Sequence, residues 1–330
     1  MRYDRHVGPL PDGVAAHLRW RKETRTLGAI AYTWVRDSLE DGMPFGPLSS
    51  EPDVLTWRRR QSALARLFSV ALNPWYRVFR SVETEIKDNN GHRTTLNLLS
   101  YYTSDFQSKV PMSDRELPDT LPSPVIDNSD TWDFGKYGVL PNPVEWLTKG
   151  PGLELEFGSY APCHGDLHVK NIFVLPDDSP RLIDFGDTAL GHIFRDFAAL
   201  EASVRLTCCN TTDLNELKVA SDCASGTKML GDYINHRPVA RKMTDLRKTV
   251  ITTMQIRRAA LDAVSNKLPD SAMKEYLLAL VLRMLRYAGG IADEASSRET
   301  PANTNARLWH ALYAAARAAQ QANSLEIAKP

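Results

Sequence analysis

Little in this chain ties it to an oxidising compartment, a bilayer or a polyanion. It has four cysteines, Cys163, Cys208, Cys209 and Cys223, and no C-x-x-C pair. That excludes a disulfide framework, and the Cys208-Cys209 pair with His192 matches no zinc spacing. The thiols read as reduced, with Cys163 packing rather than reacting. Behind Met1-Arg2-Tyr3-Asp4-Arg5-His6 there is no apolar core of a secretion signal. No apolar run approaches the ~20 residues that span a bilayer. Lys+Arg and Asp+Glu both number 40, so no global basic field draws in nucleic acid or anionic membrane. Internal repeats are missing too. The expectation is a cytoplasmic protein with neither a membrane nor a specific nucleic-acid partner.

What is present reads as an α+β chain, mostly helical. A hydrophobic share of 43% and a charged share of 24% are those of an ordinary globular protein. Residues 1–150 and 151–330 read as two stretches of one continuous lobe. Leu27, Ile30, Ala31, Trp34 and Val35 recur at helical spacing, which predicts helix in two pieces over 14–39. After a Pro- and Gly-rich break, Ser50 caps a helix over 51–72 whose Arg58-Arg59-Arg60 run reads as a solvated face. Alternation at Val78, Val82, Thr84 and Ile86, with a turn at Asn89-Asn90-Gly91-His92, predicts a hairpin over 76–102. Residues 103–143 read as a loop-rich surface insertion, and Asp133-Phe134-Gly135 within it as a chance turn. Helix resumes over 144–149. After Gly191 the chain reads helical over 197–207, 214–235, 239–265, 271–293 and 303–322. Met273, Leu277, Leu280, Val281, Met284, Leu285 and Ala288 form a core stripe.

The informative stretch runs from His164 to Asp187. It reads His164-Gly165-Asp166-Leu167-His168-Val169-Lys170-Asn171, an apolar run over 172–175, Pro176-Asp177-Asp178-Ser179-Pro180, Leu182-Ile183, then Asp184-Phe185-Gly186-Asp187. Two apolar runs around such a turn make a short β-hairpin. The start of its first strand and the end of its second lie side by side, so Asp166, Asn171 and Asp184 are expected to converge. That set suits phosphoryl transfer, where catalysis is positioning plus charge neutralisation. One carboxylate takes the acceptor's hydroxyl proton. Magnesium takes hard oxygen ligands and keeps several waters, so one amide and one carboxylate beside phosphate oxygens suffice. The spacing D-x-x-x-x-N followed by D-F-G is the protein-kinase signature.

Gly165 before the Asp, and His168 where protein kinases commonly carry Lys, make the resemblance more specific. His-Gly-Asp-Leu-His-x-x-Asn, Ile-Asp-Phe-Gly-Asp, Gly191-His192 and Arg195-Asp196-Phe197-Ala198-Ala199-Leu200-Glu201 resemble the aminoglycoside phosphotransferase and choline kinase-like family. The run from Asp196 to Arg205 resembles a bacterial branch, the ternary complex associated domains. The resemblance implies a protein-kinase-like C-terminal lobe with a short catalytic β-hairpin. It implies a transferase, an ATP- or GTP-dependent kinase of a small-molecule hydroxyl that uses Mg2+. Asp166 is then the base, and Asn171 and Asp184 hold the metal and the nucleotide. Asp196 opens the next helix as its cap and braces the catalytic loop. His164, His168 and Asp187 have structural duties, while Lys170 is open between a phosphate or acceptor contact and a solvated place.

The N-terminal nucleotide lobe is absent or unreadable. Residues 1–163 hold no G-x-G-x-x-G and no G-x-x-x-x-G-K-[ST]. Lys87 is the one strand-like lysine, and the phosphate-binding role does not transfer to it. A partner chain or a missing segment would supply that lobe, or it is reduced. The alternative function is a catalytically inactive, pseudokinase-like binding or assembly module.

Overall fold

The computed structural model describes residues 7, 10–11, 14–15, 18–23, 28–32, 42–46, 54–80, 96–98, 101–102, 125–149, 154–155, 160–209, 211–225, 245–264, 269–294 and 300–325. Most of these residues lie in helices α1 (Val54–Arg66), α2 (Asn73–Arg80), α3 (Pro143–Lys149), α4 (Arg195–Thr207), α5 (Leu214–Ser225), α6 (Asp245–Ala263), α7 (Pro269–Glu294) and α8 (Pro301–Ser324). Short strands form small antiparallel sheets between them. The fold is α+β and mostly helical, as expected. Among the described residues no helix is long and apolar enough to cross a membrane.

The C-terminal helices form the core. Leu277, Leu280, Val281, Met284, Leu285 and Ala288 of the α7 stripe are buried, and Met273 packs partly buried at its edge. α7 lies along α8 and against α4, while α5 packs on α6 and α8. Ala311, Ala314, Ala315, Ala318 and Ala319 of α8 are fully buried; their small side chains let neighbouring helices approach closely. α8 starts earlier than its apolar pattern suggests. Thr300 Oγ1 accepts from Asn303 N at 3.4 Å, and Pro301 takes the first helical position, where its missing N–H costs nothing.

A buried ion cluster joins four of these helices. Glu201 of α4 accepts on Oε1 from Arg257 Nη2 (2.7 Å) and Arg205 Nη1 (3.1 Å), and on Oε2 from Arg257 Nε (2.7 Å) and Tyr276 Oη (2.6 Å). Arg205 Nη2 continues to Ser221 Oγ at 2.9 Å, and Arg257 also donates to Ala224 O. Burial works to raise the Glu201 pKa. The facing Arg257 outweighs it, helped by Arg205 and Tyr276, and holds the carboxyl below its usual range. The family-like run up to Arg205 quotes Glu201, but its partners lie far along the chain.

Three expectations are corrected. Within 14–39, residues 18–23 and 28–32 are strands rather than helix: β1 (Leu18–Glu23) and β2 (Gly28–Tyr32) pair antiparallel, with Trp20 opposite Ala31 and a register shift after Leu18, while Leu27, Trp34 and Val35 fall outside the described residues. Leu18-Arg19-Trp20-Arg21 alternates apolar and charged, and this period of two won over the helical spacing read further on. The second correction concerns 76–102. Tyr76 and Val78 lie in α2, and Leu96–Asn97 (β4) pairs with Glu154–Leu155 (β8), while Tyr101 and Tyr102 are helical. The expected turn at 89–92 and Lys87 fall outside the described residues.

The third correction is the end of the supposed insertion. β5 (Ile126–Asp127), β6 (Thr131–Asp133) and β7 (Val139–Pro141) form a meander. Its Trp132 and Phe134 are buried, and Phe134 meets the Trp309 and Tyr313 rings of α8 edge-on at 5.8 and 5.1 Å. Asn142 ties the meander by donating to Asp127 Oδ1 (3.1 Å) and Ser129 O (2.9 Å), and accepts from Val144 N at 3.0 Å to start α3. Three aromatic residues, Trp132, Phe134 and Tyr137, are the reason this stretch packs. Asp133-Phe134-Gly135 is a turn, with Asp133 Oδ1 accepting from Gly135 N at 2.8 Å.

Candidate active site

The site is built on β10 (Ile172–Val174) and β11 (Pro180–Leu182), which pair with Ile172 opposite Leu182. This is the expected hairpin. Neither edge is bare: β3 (Met43–Pro44) pairs with β10, Phe45 N donates to Ile172 O (2.9 Å), and Leu182 N donates to Val14 O (2.8 Å). The arginine run of α1 holds the turn. Arg59 Nε donates to Asp178 Oδ1 (2.9 Å) and its Nη2 to Leu175 O (2.7 Å). Arg60 is buried and reaches Pro44 O at 3.3 Å. Only Arg58 of the three is exposed, so the solvated-face reading holds for it and not for its neighbours. A carboxylate and a carbonyl at the turn of a hairpin 116 to 119 residues on could not be seen in the local pattern.

The loop from His164 to Asn171 enters from β9 (Tyr160–Cys163), whose Cys163 stands opposite Ala189 of β12 (Ala189–His192). Cys163 is buried, and its thiol donates to Ala161 O and His192 O. Gly165 has φ +89°, and a Cβ there would lie 2.3 Å from Asp187 O. Only glycine fits, because the two loops touch at this point. Asp196, fully buried, accepts on Oδ2 from His164 N (2.6 Å) and on Oδ1 from Gly165 N (3.0 Å). It braces the loop as expected but does not cap its helix: α4 begins one residue earlier, without a side-chain cap. Ser203, two turns on, adds a second brace by accepting from Val169 N at 3.2 Å. The seven-residue spacing on one helix face was the readable signal for Ser203.

Asp196→Ala strands two buried N–H groups. It is expected to lower the unfolding free energy by about 2–4 kcal/mol, measured by urea titration. A loss near ~1 kcal/mol, the worth of a cap, would show that the brace contributes little.

Asp166 and Asn171 share one hydrogen-bonded loop, and the hairpin pairing sets Ile183, the residue before Asp184, against Asn171. Asn171 Nδ2 donates to Asp166 O at 2.9 Å, and Ile183 N donates to Asn171 O at 3.1 Å, immediately before Asp184. His164 Nε2 donates to Ile183 O at 2.9 Å, and its ring lies 4.8 Å from that of Phe185. Asn171 is buried, Asp166 half-exposed and Asp184 exposed. Asp184 has φ +61°, a conformation uncommon outside glycine and concentrated at functional sites. The Asp166 carboxyl is held below its usual range, first by the hydrogen bond from the His168 side chain and further by the electrostatic pull of the nearby His168, Arg283 and His164 side chains, against the effect of burial. Lys170 is exposed.

The donor set fits a hard cation. Asn171 gives its Nδ2 to Asp166 O, which turns Oδ1 to the other side, and Asp184 adds a carboxylate. Among the described residues no three His, Cys, Asp or Glu side chains are grouped to hold an ion alone. One amide and one carboxylate leave coordination places to water and phosphate oxygens, the manner in which magnesium is held.

Comparison with known proteins adds two findings. The family model described as Ternary complex associated domain 9 matches residues 113–287, a span that holds the loop from His164 to Asn171, the hairpin and both braces. No curated protein matches the chain significantly.

Proposed function

The chain belongs to the Ternary complex associated domain 9 family, and from that premise we propose that it is a magnesium- and nucleotide-dependent phosphotransferase of the aminoglycoside phosphotransferase-like class. The observation that supports this reading is that Asn171 holds Asp166 O through its Nδ2 and pairs through its own carbonyl with Ile183 N, the residue before Asp184. The acceptor is a hydroxyl on a small polar molecule and the donor is ATP or GTP. Asp166 orients the hydroxyl and takes its proton as the new O–P bond forms. Asn171 and Asp184 hold the metal with the nucleotide's phosphates. When bound, magnesium offsets the charge of the phosphate oxygens. The protein-kinase-like lobe is part of this proposal. The β1–β2 hairpin is sheet structure ahead of the helical part, where kinases place their nucleotide lobe; a partner chain or a further segment would complete it.

The family's name, with its ternary complex, favours a second reading as a binding or assembly module. Thermal shift separates the two. Saturating ATP or GTP with magnesium is expected to stabilise the wild type by roughly 2.7 kcal/mol at a ligand concentration of 100 Kd. EDTA, or Asp184→Ala, removes the shift. A wild type whose melting is the same with and without either nucleotide belongs to the module reading.

A further inference from the structure

The Asp166 carboxylate does not stand alone. The His168 side chain is strung between two groups of its own loop. Nδ1 accepts from Lys170 N at 3.2 Å, which caps the 3-10 turn Val169–Asn171. A neutral imidazole that accepts at Nδ1 carries its proton on Nε2. Nε2 lies 3.5 Å from Asp166 Oδ2, with the two side chains 24% and 46% exposed. The backbone fixes both residues in place: Asn171 N donates to His168 O at 2.9 Å, and Asn171 Nδ2 holds Asp166 O. One short turn thus sets the origin of the ring and of the carboxylate, and the ring's N–H faces one carboxylate oxygen.

We propose that His168 is a positioning residue for phosphoryl transfer: its Nε2–H engages Oδ2 of Asp166 and leaves Oδ1 as the oxygen that meets the acceptor hydroxyl. This rests on the reading of Asp166 as the base. A separation of 3.5 Å is long for a hydrogen bond, and contacts of this kind tighten when substrate docks. The proton balance is simple. The acceptor O–H bond breaks, its proton goes to Oδ1, the O–P bond forms and the bond to the nucleotide's leaving oxygen breaks. His168 keeps its own proton throughout. Without the ring, the short Asp side chain samples more than one staggered χ1 well, and only one of them places Oδ1 at the hydroxyl. Productive geometry is narrow enough that such misplacement costs about tenfold or more in rate.

Two substitutions separate the ring's two contacts. His168→Asn keeps the cap, because an Asn oxygen accepts from the same N–H, but its amide falls short of Asp166. His168→Gln extends an N–H to about the reach of Nε2. The measurements are kcat and KM for hydrolysis of MgATP or MgGTP, with water in place of the acceptor, and the Asp166 χ1 distribution from side-chain couplings. Expected for His168→Asn are an unchanged melting temperature, an unchanged nucleotide KM, a kcat lower by about tenfold and a mixture of Asp166 rotamers. His168→Gln is expected to restore one rotamer and kcat to within about threefold of wild type. A single Asp166 rotamer in His168→Asn overturns the proposal, whatever the turnover. A wild type that hydrolyses neither nucleotide counts against the phosphotransferase reading, and the rotamer measurement still decides the role of His168.

Discussion

Asp166→Asn is expected to hydrolyse MgATP or MgGTP roughly 100- to 10,000-fold more slowly than the wild type, the usual contribution of a positioned base, while melting at the same temperature. The two halves of this result have separate causes. The structural contact of Asp166 is its backbone oxygen, which accepts from Asn171 Nδ2, and the substitution leaves that oxygen in place. Its side chain is half-exposed, so water screens much of the charge that the substitution removes. Asn has nearly the same shape but cannot take a proton. The His168 contact can survive on the amide oxygen, which keeps the loss a matter of chemistry rather than orientation. Removing a negative charge beside the nucleotide's phosphates is expected to leave KM unchanged or lower, so the effect falls on kcat. Initial rates across nucleotide concentrations, with a thermal melt of each variant, measure both halves. Turnover equal to the wild type would place the base elsewhere.

The parts of this site that were legible in the sequence are those held by short-range rules. The hairpin from Ile172 to Leu182 follows from two apolar runs around a Pro- and Asp-rich turn, and its pairing brings Asn171 beside Ile183 without further information. The helices from α4 to α8 follow from apolar period. What stayed hidden acts across long separations or sits where two periods compete. Arg59 and Arg60 read as surface charges because Asp178 and Pro44 are not their neighbours in the chain. Asp196 carries the residue type of a helix cap, yet its carboxylate turns to the loop 31 residues before it. Leu18 to Tyr32 holds enough apolar residues to suit either period, and the strand pairing decides between them. The meander packs because Phe134 and Tyr137 find Trp309 of α8, a partner that lies more than 150 residues away.

Glu201→Ala is expected to destabilise the fold by about 3–5 kcal/mol, the range for breaking a buried ion pair by removal of one partner. The Glu201 side chain is fully buried and its two oxygens take four hydrogen bonds, two of them from the Arg257 fork. Without it, Arg205 and Arg257 are left as like charges in the interior, and Tyr276 Oη loses its acceptor. Arg205 already has a pKa lowered by burial, which outweighs the help it gets from Glu201, so it has no reserve of solvation to fall back on. The same network fixes a pH window. Because the folded pKa of Glu201 is depressed, its contribution is present above the unfolded value of ~4.3 and is lost as pH falls through the folded value. Urea titrations at pH 7 and at about pH 3, well below the unfolded value, therefore test it twice. The gap between wild type and Glu201→Ala is large at the first pH and smaller at the second. A domain is stable by only about 5–15 kcal/mol, so a loss of this size releases the packing of α4 on α6 and α7, and with α4 the Asp196 and Ser203 braces of the loop from His164 to Asn171. A gap below about 1 kcal/mol at pH 7, the scale of an exposed ion pair, would mean that the helices hold together without the cluster.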